Sequence, residues 1–180
     1  MSYLVLFSRC LIGLVFVISA VEKAGGRARF RDFTMSLSGM RVLPAGLVGP
    51  VAGIVVAGEI AVPMLLLAPW PSRAVPLGGF AVALLLLGGF TIAVGAVLRR
   101  GVPAACRCFG GAGAPFSRRH VVRNLALATV AAGGAIATIT DQPMTWRAVV
   151  AVPAAVLCAV IVARLDDLVA LFTPTPAVRR

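Results

Sequence analysis

A chain of 180 residues has room for one domain, but its composition excludes a soluble one. Hydrophobic residues make up 60% and charged residues 13%, against roughly 45–50% and about 25% in soluble domains. A mean hydropathy of +1.01 leaves too few polar residues to surround a core in water, so the chain reads as an integral membrane protein. Disorder, collagen, a disulfide-stapled mini-protein and a nucleic-acid-binding domain are excluded with the soluble class.

The formal charge of +11 is no argument for nucleic acid. It is carried almost entirely by arginine, Lys23 being the only lysine, between apolar segments. That pattern suits membrane topology and anionic lipid head groups. The Arg-over-Lys, Ala/Gly/Val-rich bias fits a GC-rich bacterial genome, so the expected location is a bacterial cell membrane, crossed several times.

A membrane helix needs about 20 mostly apolar residues, and five stretches qualify. The first, Leu4 to Val21, is interrupted by Arg9. It lacks a basic n-region, and its one charge lies inside the apolar run, so an uncleaved helix is expected rather than a signal peptide. Between Glu22 and Gly46 the chain is polar enough for the interface. Arg27, Arg29, Arg31 and Arg41 alternate there with Phe30, Phe33, Met35 and Leu37, the pattern of a short amphipathic surface helix.

The second span, Leu47 to Leu67, carries Glu59, and Pro69, Pro71 and Pro76 break the chain after it. The third, Pro76 to Leu98, has no charge. The fourth, Val121 to Ile139, has Arg123 and Asn124 at its start and ends before Asp141-Gln142-Pro143. The fifth, Trp146 to Val162, has Arg147 at its edge. The whole chain, 1–180, reads as one integral membrane domain without repeats. Gly49 and Gly53, and Gly88, Gly89 and Gly95 on the third span, are spaced to let helix backbones approach closely.

The chemistry centres on Cys106-Arg107-Cys108-Phe109-Gly110, between the third and fourth spans. Two thiols one residue apart can close a strained small-ring disulfide, and strained exposed disulfides are labile. Arg107 lies between them, and Arg99, Arg100, Arg118 and Arg119 flank the loop. Positive charge favours thiolate, which attacks disulfides or binds metal. A reversible dithiol, a metal site and inert cysteines are the three readings. His120 with the two thiolates could hold Cu(I) or zinc. Closed zinc sites usually want four ligands, though, and no second cysteine pair is present, so no metal is assigned. Cys10 and Cys158 lie deep in apolar runs, as small hydrophobes do.

Glu59 sits mid-span, where a comparable acid costs about 2.5–3.5 kcal/mol on insertion scales. It is expected to face the bundle interior, protonated or paired with Arg9, Lys23 or Arg123. The ends of spans one and three and the starts of two and four share one membrane face. That places Lys23, the cysteine loop, Arg123 and Asn124 together. A cation there can tune the thiols, or simply reach for head groups.

Several of these pieces, in this order, resemble the DoxX-like proteins. Ser19-Ala20-Val21-Glu22-Lys23 is similar to the small-residue-then-lysine end of their first helix, Glu59 before Leu65-Leu66-Leu67 to the acid of their second, and Arg123-Asn124-Leu125 to the start of their fourth. Cys106-x-Cys108-Phe109-Gly110 resembles the C-x-C-F-G signature of the MauE branch. The likeness runs from about Leu4 to Ile139. It implies a four-helix membrane bundle, here with an additional C-terminal helix. It also implies a redox-associated role beside thioredoxin-like partners, in disulfide formation or maturation of an exported enzyme.

Cys106 and Cys108 are then the candidate catalytic pair of a thiol-disulfide oxidoreductase, with Lys23, Glu59, Arg107, Arg123 and Asn124 in support. The spacing differs from the C-x-x-C of DsbB and vitamin K epoxide reductase, so a quinone enters by analogy only. A non-enzymatic scaffold for a redox enzyme and a small-solute or metal carrier are the alternatives.

Orientation divides two arguments. The face with the cysteine loop, together with the tail, holds Lys23, Arg27, Arg29, Arg31, Arg41, Arg99, Arg100, Arg107, Arg118, Arg119, Arg164, Arg179 and Arg180, whereas the other has only Arg73 and Arg147. Short basic loops stay in the cytoplasm, which puts the N-terminus outside and the cysteine loop inside. A role in exported disulfides would put that loop outside. The charge rule is followed because it reads this chain.

Overall fold

The computed structural model describes residues 2–68, 72–101, 105–106, 114–115, 117–140 and 149–165. They form α1 (Ser2–Ala24), α2 (Arg27–Gly39), α3 (Ala45–Leu67), α4 (Ala74–Arg100), α5 (Arg118–Thr140) and α6 (Ala151–Ala163). A two-residue antiparallel ladder of β1 (Ala105–Cys106) and β2 (Ala114–Pro115) lies between α4 and α5. The protein is an all-α membrane bundle. Four helices, α1, α3, α4 and α5, are long and apolar enough to cross a membrane. The expected fifth is present as the shorter apolar helix α6, with positions 146–148 outside the described residues.

The buried residues of α1 are Val5, Ser8, Leu11, Ile12, Val15, Phe16, Ser19, Ala20 and Lys23. Steps of three and four place all of them on one stripe of a 3.6-residue helix. The stripe of α3 runs Val48, Ala52, Val56, Glu59, Val62 and Leu66. In both helices the polar members lie on the core stripe, so the rotation that buries the aliphatic residues also carries the charges inward.

The four long helices close a ring in the order α1, α3, α4, α5, and α6 packs on α1. Neighbours run antiparallel: Arg9 of α1 reaches Leu66 of α3, while Ser19 reaches Glu59. The interior has two parts. Leu11, Ile12, Phe16, Leu66, Phe80 and Leu127 centre the larger one, around α1. Phe33, Leu37 and Met40 pin α2 against Val48, Ala52 and Val56 of α3 and Val94 and Val97 of α4.

The amphipathic surface helix is therefore real. Its apolar face covers the bundle, and Arg27, Arg29 and Arg31 are exposed. It ends at Arg41, which takes a left-handed φ of 50°, a conformation that costs a non-glycine residue of order 1 kcal/mol. Its N–H bonds the Ser38 carbonyl, and its carbonyl accepts Arg100 Nη1 at 3.1 Å.

The close helix contacts fall on other glycines than the spacing suggested. A Cβ at Gly49, Gly53, Gly88, Gly89 or Gly95 would meet nothing within 4 Å. At Gly134 it would lie 2.6 Å from Ser8 Cβ and 2.7 Å from Phe80 Cζ, and at Gly13 it would lie 2.8 Å from the Leu67 side chain. Close approach is thus used where α1 meets α3 and α5 and where α4 meets α5. The motif-like glycines of α3 and α4 have no helix against them.

Candidate functional site

A polar centre lies between α1 and α3. Lys23 Nζ donates to Glu59 Oε1 and, at 3.0 Å, to Ser19 Oγ, and Ser19 Oγ donates to Glu59 Oε1 at 3.1 Å. Both charged side chains are only 2% exposed. The ammonium also faces two aromatic rings, Phe33 of α2 at 4.8 Å and Phe90 of α4 at 4.9 Å from their centroids. A cation over an aromatic face is stabilised by the ring quadrupole, most where water is excluded. Four elements of the fold thus converge on one ammonium group.

Glu59 is less completely held. Its Oε2 is buried with no hydrogen-bond partner. One turn later stands Pro63, which has no N–H to return to the Glu59 carbonyl. The bond network is one-sided: Oε1 accepts twice, Oε2 not at all.

These positions decide part of what the sequence left open. Glu59 faces the interior, and of Arg9, Lys23 and Arg123 its partner is Lys23. Lys23 does not reach for head groups, nor is it turned toward the thiols. Its charge points into the bundle and is consumed by Glu59, Ser19 and the two rings. Arg9 instead donates to the α3 carbonyls of Leu66 at 2.6 Å and Ala68 at 3.0 Å.

At the start of α5, His120, Arg123 and Asn124 are all buried. His120 Nδ1 accepts the Ser117 N–H at 3.3 Å, while the His120 N–H donates to the Ser117 carbonyl. That is a helix-start cap with histidine in the third position, a role the metal reading had not weighed. Among the described residues no cluster of three or more His, Cys, Asp or Glu could hold a metal. Cys10 and Cys158 are free thiols packed against the larger core.

The cysteine loop is anchored by the ladder, in which Cys106 pairs with Ala114 and Ala105 with Pro115. β1 also lies against α2, the helix whose Phe33 faces Lys23. Arg107 and Cys108 lie outside the described residues.

The chain matches the family described as methylamine utilisation protein MauE over residues 1–137. It belongs to the MauE family. The matched range takes in the polar centre, the cysteine loop and the four long helices nearly to the end of α5, but stops before α6. No curated protein and no solved structure gives a significant match. Ser19 was legible as part of the helix ending, but its place between the two charges was not. Phe90, in an uncharged span, carried no signal at all.

Proposed function

We propose that this MauE-family protein is a membrane-embedded redox component of methylamine utilisation that exchanges a Cys106/Cys108 disulfide with a thioredoxin-like or exported partner. The observation that carries the reading is the hairpin closed at Cys106. The ladder ties the base of the C-x-C segment to α2, on the membrane face rich in arginine. A fixed base and a short dithiol loop suit presentation to a partner, and the surrounding cations favour thiolate.

In the exchange, a partner thiolate attacks one sulfur of the Cys106–Cys108 disulfide. A mixed disulfide forms and the other cysteine leaves as thiolate. The partner's second thiolate then attacks its own sulfur in that mixed disulfide and releases the reduced pair. Two electrons pass from the partner dithiol to the cysteine pair, and two protons end on its thiolates. A disulfide on another partner molecule reverses the steps and restores the pair. Arg107 favours the leaving thiolate, and Arg123 and Asn124 order the start of α5 beneath the loop. The basic face lies in the cytoplasm by the charge rule, so the N-terminus is outside.

Differential alkylation in intact cells and opened vesicles tests both parts. The expected result is a mass change of one disulfide on mild reduction in a fraction of molecules, and protection from membrane-impermeant maleimide in intact, reduced cells. Thiols that stay free under oxidising conditions, with a bound metal ion found by elemental analysis, would replace exchange by the carrier reading. Labelling in intact cells would reverse the orientation alone.

A further inference from the structure

Arg41 and Arg100 bring two exposed guanidinium-bearing residues together at the edge of the bundle. Arg100 donates to the Arg41 carbonyl at 3.1 Å, and Arg99 adds charge in the same last turn of α4. Arg41 occupies a left-handed position (φ 50°), one that glycine adopts without strain. Like charges so placed are stabilised by an anion between them, and guanidinium matches phosphate in both charge and geometry.

The height of the pair in the membrane selects the anion. α4 has 27 residues, about 40 Å at 1.5 Å per residue, against a hydrocarbon core of about 30 Å. Its last turn therefore lies among the head groups. Below Arg41, α3 descends from Ala45 with Gly46, Gly49 and Gly53 exposed at steps of three and four, and a Cβ at any of them would meet nothing within 4 Å. The result is a smooth apolar track leading from the basic turn into the bilayer.

We propose that Arg41 and Arg100 bind the phosphate of an anionic phospholipid, whose acyl chain lies along the Gly46–Gly49–Gly53 track of α3. This assignment does not depend on the thiol chemistry. The two parts of the site recognise the two parts of one molecule, and a zwitterionic lipid lacks the net charge that the upper part selects.

Native mass spectrometry of the detergent-purified protein, titrated with phosphatidylglycerol or phosphatidylcholine, tests the proposal. Phosphatidylglycerol is expected to be retained preferentially. Arg41→Gly and Arg100→Gln should each weaken it roughly fivefold, the effect of one basic residue at an anionic surface. Arg73→Gln, on the opposite face, should leave it unchanged. Arg41→Gly also relieves the left-handed strain, so its thermal stability should hold while lipid retention falls. Equal retention of the two lipids, or unchanged retention in both variants, would overturn the site. So would a dimer that survives delipidation and is lost in Gly49→Leu, because the track would then be filled by a second copy.

Discussion

Arg9 and Lys23 stand fourteen residues apart on α1, four turns and about 21 Å along its axis. Both turn toward α3, yet they solve different problems there. Arg9 meets carbonyls at the C-terminal end of α3, groups that the end of any helix leaves without an intrahelical donor. The charge is spent on closing that helix end. Lys23 meets a carboxylate in the helix interior, where α3 has no need of a cation except the one that Glu59 creates. Nothing in the folding of α3 calls for that carboxylate, and a leucine would fill the stripe between Val56 and Val62. One basic residue therefore repairs a backbone end, and the other balances a buried charge. The second arrangement is where a role beyond stability is to be sought.

The sharpest way to break this comparison is to remove one member of the ion pair. Glu59→Leu leaves Lys23 buried at 2% exposure without its counter-charge, and truncating one side of a buried pair costs about 3–5 kcal/mol. Lys23→Met should cost a similar amount by stranding Glu59. The double variant Lys23→Met/Glu59→Leu is expected to be markedly more stable than either single one, because no uncompensated charge remains. Denaturation midpoints of the four proteins in detergent measure the coupling. Additive losses would show that the two side chains do not depend on each other.

Arg9 has no such charged partner, and its loss should be milder. Arg9→Met removes donors from the Leu66 and Ala68 carbonyls, for an expected cost of about 1–3 kcal/mol. Lysine should restore only part of this, because one ammonium lacks the fork that reaches two carbonyls from two nitrogens. The same denaturation midpoints check both substitutions. A loss at Arg9 equal to that at Glu59 would erase the distinction between the two ends of α1.

How much of this could be read from sequence depends on what each residue's environment required. The four long spans followed from apolar length alone, and α2 from the alternation of arginine with Phe30, Phe33 and Leu37. Glu59 had to face inward because lipid offers a carboxylate no partner. Which cation it met was not legible, since Arg9, Lys23 and Arg123 are on two other helices and their order around the ring is a tertiary fact. A register count narrows the choice: Ser19 and Lys23 continue the stripe of Ile12 and Val15, and Glu59 continues that of Ala52 and Val56. The glycines show the opposite limit. Spacing says that Gly49 and Gly53 share a face, but not whether that face meets a helix or the bilayer. Gly13 and Gly134, without a close-packed motif around them, make the tight contacts. The cysteine pair was visible from spacing and flanking charge, whereas His120 as a helix cap depended on where α5 begins.

The smallest expected effect probes what makes the Lys23 end a converging site. Phe33 and Phe90 lie at nearly the same distance from Nζ, on helices other than the two that carry the ion pair. If the rings act through their faces, Phe90→Leu should cost about 0.5–2 kcal/mol for the cation–π contact in addition to the packing change. Packing alone would give the same loss whether or not the ammonium is present. The test is therefore a cycle: Phe90→Leu is measured in the native background and in Lys23→Met/Glu59→Leu, where the charge is gone. A larger loss in the native background assigns the difference to the ring and the ammonium. Phe33→Leu follows the same logic with a larger total loss, because Phe33 also pins α2 to α3 and α4. Equal losses of Phe90 in both backgrounds would reduce the ring to a spacer, leaving Glu59 and Ser19 as the groups that hold Lys23.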